Sequence, residues 1–178
     1  MSESMADMIC SAGNRRSFME RIDKILNHDL FIENMQKNEA AEAERSFCRH
    51  NMGHLLDVAR IAMILNLEEA LNIQKDVVYA AALLHDIGRH VQYEKGTPHE
   101  LASAEIAPSI LRDCGYDEKE TSVIIDAIRL HRTAGIAENH DLSGILYRAD
   151  KASRACFACK AEKFCDWKQN KKNFTIRY

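Results

Sequence analysis

From Val77 to Leu84 the chain reads VVYAAALL, an unbroken apolar run, and then turns abruptly into His85, Asp86, Gly88, Arg89 and His90. This stretch constrains the fold more than any other. It is far shorter than the roughly 20 apolar residues that cross a bilayer, so it reads as a helix driven into a protein core, stopped near Gly88. Its end sets an imidazole and a carboxylate side by side where water is scarce. A buried charged pair of that kind is costly unless something supplies the missing partner.

The rest of the chain is helical in pattern. Apolar residues at Phe18, Ile22, Ile25, Leu26, Leu30, Ile32 and Met35 predict one helix or two abutting ones between 15 and 46, running into the polar KNEAAEAER. Leu55, Val58, Ile61, Ala62 and Leu65 form the stripe of an amphipathic helix, and Asp76 is the expected N-cap of the apolar run. The YEKGTP segment reads as a loop closed by Thr97 as cap, with Pro98 in the first turn of a helix that ends at Gly115 and is kinked or divided by Pro108. Asp117 caps a helix to about Arg132, HRTAGIAENHD is a loop, and LSGILYRADKASRACFACKAEKF resumes helix. With no alternating β-branched run, no hairpin signal and no internal repeat, the expected class is all-α.

At 178 residues, with 46% apolar and 29% charged residues, the chain can bury one core without staples, and two prolines and seven glycines leave little room for linkers. A net charge of −3 and a pI near 6.2 give no general basic field. Duplex nucleic acid is therefore not an expected partner, whereas a small substrate held by a local basic pocket is. MSESMADMIC lacks a basic segment followed by an apolar one, and six cysteines are too few for a disulfide scaffold. The reading is a soluble cytoplasmic protein with reduced thiols and no membrane partner.

His50, His54, His85, His99 and His131 lie at or near helix ends or beside apolar positions, as do Asp86 and Asp150. Imidazole and carboxylate suit borderline divalent metals, and a carboxylate can bridge two ions, so one shared site is expected, with a cation as the partner of the buried pair. His50 and His54, one turn apart, share a face. His28, His90 and His140 read as ordinary hydrogen-bonded histidines.

The segments HLLDVARIA, AALLHDIGR, PHELASAEI, AIRLHRTAG and ILYRADKASR follow one another within residues 47 to 155. In these motifs and their order the chain resembles the HD-domain metal-dependent phosphohydrolases. The resemblance implies a compact helical bundle in which His54, His85, Asp86 and Asp150 hold one ion, while His99 and His131 complete a second site with Asp86 as bridge. His85 and Asp86 would then sit at the centre of catalysis, with a metal-activated water as nucleophile. The implied cofactor is one or two transition ions, iron foremost, with manganese, zinc, cobalt or nickel also suited. The family has one histidine at the His54 position, which leaves His50 beside the ligands or facing substrate. LHDIGR, HELASAEI, LHRTAG and YRADKASR look most like the bacterial symmetrical diadenosine tetraphosphate hydrolases. The chain departs from that group at Glu100, where glycine is usual, and at Lys151, Ala152 and Ser153, where an acidic, proline-containing segment is usual.

The expected reaction is hydrolysis of a phosphoester or phosphoanhydride in a nucleotide-like substrate. Arg89, Lys151 and Arg154 are the first candidates to bind its phosphates, with Arg129 and Arg132 in support. A di-iron oxygenase of the same ligand pattern, or a non-catalytic nucleotide sensor, are the alternatives. Outside the HD domain at 47–155, residues 1–46 are expected to form helices that pack on it or make a homodimer contact. Residues 156–178 form a cysteine-bearing extension whose basic, aromatic end either folds over the site mouth or stays in solvent. Cys156, Cys159 and Cys165 read first as small hydrophobes and second as part of a zinc or iron–sulfur site whose fourth ligand is not evident, with Cys48, Cys114 and Asp166 as residues the fold could bring near.

Overall fold

The computed structural model describes residues 20–178, which form helices joined by turns with no strand among them; Phe18 and the remainder of 1–19 lie outside the described residues. The all-α class is borne out. The helices are α1 (20–26), α2 (Asp29–Ala41), α3 (Met52–Glu68), α4 (Lys75–Leu84), α5 (Arg89–Lys95), α6 (His99–Asp113), α7 (Glu118–Leu130) and α8 (Leu142–Ala152).

Helix α4 is the apolar run, and it occupies the middle of the bundle, against α3, α6, α7 and α8. Every residue from Ala80 to Leu84 is fully buried. The alanines among them allow neighbouring helices to approach closely. The expected stripe on α3 faces this core, with Leu55, Val58, Ile61, Ala62 and Leu65 all buried. Helix α7 begins with a capping box, in which Asp117 accepts from the Glu120 amide and Glu120 accepts from the Asp117 amide.

Several boundaries differ from expectation. Asp76 is not a cap: α4 begins one residue earlier, after Gln74, and the Asp76 carboxylate is buried inside the first turn. Its partner is Arg21, whose Nε lies 2.6 Å away and whose other nitrogens make a bidentate pair with Glu120. Thr97 is not the cap of α6 either, since Pro98 holds that position. Helix α6 continues through Pro108 undivided. Ala104 and Ala107 on one side of the proline and Ile110 and Leu111 on the other are anchored in the same core, which outweighs the lost backbone bond. The first three residues of the expected YEKGTP loop belong instead to the short helix α5, closed by Gly96 with φ of 75°.

The largest departure is at α8, which stops at Ala152 instead of continuing through the cysteines. The stop is made by Asn173, far along the chain. Its side-chain amide donates to the carbonyls of Lys151, Ala152 and Arg154 at 2.8, 3.3 and 3.0 Å, satisfying the orphan acceptors of the helix end. Beyond this point the chain forms only three-residue turns. No helix among the described residues is long and apolar enough to cross a membrane.

Candidate metal centre

His85 and His131 occupy equivalent positions, each the C-cap of its helix, α4 and α7. The Nδ1–H of His85 donates to the Ala82 carbonyl at 2.7 Å, and that of His131 to the Ile128 carbonyl at 2.6 Å. Each bond fixes the ring and its tautomer, leaving a bare Nε2 lone pair directed inward. His54, in the first turn of α3, is oriented through Ser153: the Ser153 hydroxyl donates to the Asp150 carbonyl at 2.8 Å and faces His54 Nδ1 at 3.3 Å. His99 opens α6, its Nδ1 lying 2.5 Å from Gln92 Oε1.

These rings surround two carboxylates. Asp86 Oδ1 is 3.0 Å from His99 Nε2 and 3.8 Å from His131 Nε2, while Oδ2 is 3.3 Å from His85 Nε2 and 3.6 Å from His54 Nε2. Asp86 thus faces all four imidazoles, two from each oxygen. Asp150 Oδ1 lies 3.7 Å from His54 Nε2. The donor atoms fall into two tight groups that could each hold an ion: His54, His85 and Asp150, and His85, Asp86 and His131. The six sequence-predicted ligands are therefore brought to one place. His54 Nε2, His85 Nε2 and Asp86 Oδ1 are buried with no hydrogen-bond partner, an expensive arrangement that a cation relieves.

Protonation tendencies fit the same occupant. Burial opposes ionisation of Asp86, but the neighbouring His85, His50 and His54 overcome it and hold the carboxyl well below its usual range. Burial also works on His131, reinforced by the charge of His85, and lowers it to about 3. His99 is lowered chiefly by burial. His85 is instead raised, because the charge of Asp86 outweighs burial. The site draws positive charge to a buried imidazole nitrogen, where a divalent ion can replace a proton.

The turn that carries His85 and Asp86 is built by contacts distant in sequence. Asn38 on α2 donates to the carbonyls of Asp86 and Ile87 at 3.0 and 3.3 Å and accepts from the His90 amide at 2.7 Å. Gly88 donates to Ser103 Oγ on α6 at 2.9 Å. A Cβ on Gly88 would stand 2.6 Å from the Ser103 nitrogen and 2.7 Å from the Ala102 carbonyl carbon, so only glycine lets the turn approach α6 this closely.

His50 lies 3.8 Å from Asp86 Oδ2 and bonds through Nδ1 to Glu42 at 2.6 Å. Glu42 also accepts from the His50 amide and the Tyr93 hydroxyl, each at 2.7 Å. Burial works to raise this carboxyl, but the bonds from His50 and Tyr93 prevail and lower it to about 2. Sequence reasoning missed Glu42, Asn38 and Asn34, although their spacing of four residues along one face of α2 was a signal of a buried polar stripe.

Four members of this cluster, Asp86, His99, His131 and Asp150, line a cavity of about 540 Å³. Nine lysines and arginines against three aspartates line it, a local basic field in a chain of net negative charge. Arg89, Lys151 and Arg154 are all present. Arg89 Nη1 is 2.7 Å from His99, Lys151 pairs with Asp150, and Arg154 lies 3.6 Å over the Trp167 ring with a buried Nη1 that has no partner. Arg132 also lines the cavity, whereas Arg129 is exposed and does not, correcting its expected role. The C-terminal segment folds back, placing Trp167, Lys171, Arg177 and Tyr178 in the wall. His28, His90 and His140 lie elsewhere, bonded to Asp113, Asn34 and Glu69.

The family model described as HD domain matches residues 51–155. The chain belongs to the HD domain family. It is 45% identical over 160 residues to an uncharacterized protein of Clostridium beijerinckii, covering 90% of this chain and all of that one. It is 32% identical over 112 residues to ribonuclease Y 1 of Pediococcus pentosaceus and 30% identical over 128 residues to ribonuclease Y of Clostridium kluyveri. Those matches cover 62% and 72% of this chain but only 19% and 23% of the ribonucleases. The crystal structure of a predicted HD superfamily hydrolase from an uncultured Thermotogales bacterium superposes with a TM-score of 0.57 over 78% of this chain and 79% of that one, at 24% identity, and shares the fold.

Proposed function

We propose that the protein is a metal-dependent phosphohydrolase acting on a small nucleotide-like substrate. The observation that carries this reading is the union of two features: a cluster of imidazoles and carboxylates with buried, partnerless atoms, reached by a cavity through Asp86, His99, His131 and Asp150, and a surplus of cations around the cavity walls. The ligands proposed are His54, His85, Asp86, His99, His131 and Asp150, in two sites that share Asp86. Divalent ions bound there supply an activated water and stabilise charge on the attacked phosphoryl oxygens.

The chain's own groups do the rest. Arg89 and Arg154 bind phosphate oxygens at the cavity wall, and Lys151 releases Asp150 to reach the substrate once the carboxylate has another cation. Trp167, Tyr147 and Tyr178 offer faces for a base. His50, held through Nδ1 by Glu42, keeps Nε2 near Asp86 and is placed to hand a proton to the leaving oxygen.

The phosphoester chemistry in the name ribonuclease Y, and the likeness of the motifs to diadenosine tetraphosphate hydrolases, agree with this reaction class. The cavity favours a nucleotide over a folded nucleic acid, since a space of this volume suits a small ligand. The test is phosphate release from a panel of mononucleotides, dinucleoside polyphosphates and cyclic dinucleotides, with iron, manganese, zinc or cobalt added to chelator-treated protein. Metal-restored hydrolysis of one class is expected. Oxygen consumption with no phosphate release would replace the reading by oxygenase chemistry, and ligand binding without turnover would replace it by a sensor.

A further inference from the structure

A second set of soft ligands, none of them in the histidine centre, lies at the edge of the large cavity. Cys48 precedes α3, Cys156 and Cys159 bracket a tight turn just past α8, and Cys165 follows the next turn. All four line a small cavity of about 20 Å³, beside Phe47, Glu162 and Lys172, which adjoins the large cavity and shares Cys48, Cys156 and Cys165 with its wall. That volume holds one small occupant. All four thiols are free, as is Cys114, which is buried at the end of α6 and takes no part in the cluster.

The backbone presents these residues in a repeated way. The Cys159 amide donates to the Cys156 carbonyl at 3.2 Å, and the Cys165 amide donates to the Glu162 carbonyl at 3.2 Å, so each of two short turns ends on a cysteine. The proximity of the four is also felt electrostatically. Burial pushes the Cys48 thiol up, Arg154 lowers it, and Cys156, Cys159 and Cys165 add to the rise.

The segment that carries three of these cysteines has little else to hold it. Between 153 and 178 only Lys172 and Asn173 are buried, while Phe157, Phe164, Phe174, Ile176 and Tyr178 are exposed. Ordering such a stretch costs conformational entropy that apolar burial here does not offset. A bound ion with four protein ligands does so in small metal-stabilised modules.

We propose that Cys48, Cys156, Cys159 and Cys165 bind one zinc ion that fastens the C-terminal segment to the chain just ahead of α3. Four sulfur donors leave no open position, which makes the site structural. Four thiolates around a divalent ion carry a net charge of −2, and Arg154 and Lys172 are the neighbouring cations that offset it. The site also bears on the large cavity, because Trp167, Lys171, Arg177 and Tyr178 follow Cys165 directly and form its wall.

The test uses the full chain purified without chelator, and its readout is independent of phosphatase activity. Titration with an organomercurial is expected to release one zinc per chain in step with thiol modification, recorded with a chromogenic chelator. The cobalt-substituted protein is expected to show intense tetrahedral d–d bands and thiolate-to-cobalt charge transfer. Both signals should persist in His99→Ala/His131→Ala, where the histidine centre is impaired, and vanish in Cys159→Ser and in Cys48→Ser. If the cysteine variants do not fold, the mercurial release and the cobalt spectrum of the wild type decide the matter. Thiol modification that releases no zinc, a disulfide among the four, or iron with a cluster spectrum would each overturn the proposal.

Discussion

At the scale of single residues, the candidate centre depends on groups outside the proposed ligand set. His54 is aimed only through Ser153, itself anchored on the Asp150 carbonyl. Ser153→Ala is therefore expected to weaken metal affinity by roughly 10- to 100-fold while the protein stays folded, measured by competition against a chelator of known affinity. Gly88 is needed for space and not for an unusual backbone angle, its φ being −89°. Gly88→Ala forces the His85–Asp86 turn away from α6 and is expected to cost about 1–3 kcal/mol in denaturant unfolding, with loss of bound metal. A neutral result at Gly88 would contradict the close approach described. The candidate ligands were legible in the sequence because only a few side-chain types, His and Asp among them, suit a divalent metal. Ser153 and Asn38 were not, because a hydroxyl or amide acquires its role only when the fold supplies a partner.

At the scale of elements, the α2 stripe and the Arg21 cluster couple helices to the core through buried charge. Arg21 joins α1 to Asp76 on α4 and Glu120 on α7, with its guanidinium 4.1 Å over Tyr116. Arg21→Ala strands the buried Asp76 carboxylate and is expected to cost about 3–5 kcal/mol, read as a lowered denaturation midpoint. Glu42, at the end of α2, is lowered against the opposing effect of burial from the ordinary 4.5 to about 2 by its bonds from His50 and Tyr93. A depressed carboxyl contributes stability that is present above its unfolded pKa and lost as pH falls through the folded value. Acid unfolding of the wild type should therefore steepen between about pH 4.5 and 2, and Glu42→Gln should flatten that part of the curve. The helices of the bundle were legible where an apolar stripe met a local cap, as at α3 and α7. The end of α8 was not, since Asn173, which stops it, lies well beyond any local window.

At the scale of the whole molecule, the described chain joins a helical bundle that builds the candidate metal centre to a C-terminal segment that helps wall the cavity beside it. The basic field arises only in three dimensions, from Arg45, Arg89, Arg148 and Lys151 together with Lys171 and Arg177 of the tail. Composition gave no sign of a general basic field and could not locate this pocket. Trp167→Ala, by removing the ring that stacks on Arg154 and lines the cavity, is expected to raise KM for a nucleotide several-fold with a smaller change in kcat. Equal losses in kcat and kcat/KM would place Trp167 in the chemical step instead. The ligand motifs could be read in order from the sequence, whereas the gathering of Cys48 with the tail cysteines, and the folding of the tail over the site, required the fold.

The central proposal is that Asp86 and the five residues around it, His54, His85, His99, His131 and Asp150, would hold two divalent ions for hydrolysis of a phosphorylated substrate. The most direct test is the transition-metal content of the chain alongside phosphate release, for the wild type and for His99→Ala/His131→Ala, in protein whose cysteine-bound metal is counted separately by mercurial release. The account predicts about two ions per chain at the histidine centre, falling to about one in the double variant, with phosphate release lost in parallel. An unchanged metal content in the variant, or full hydrolysis by metal-free protein, would contradict it.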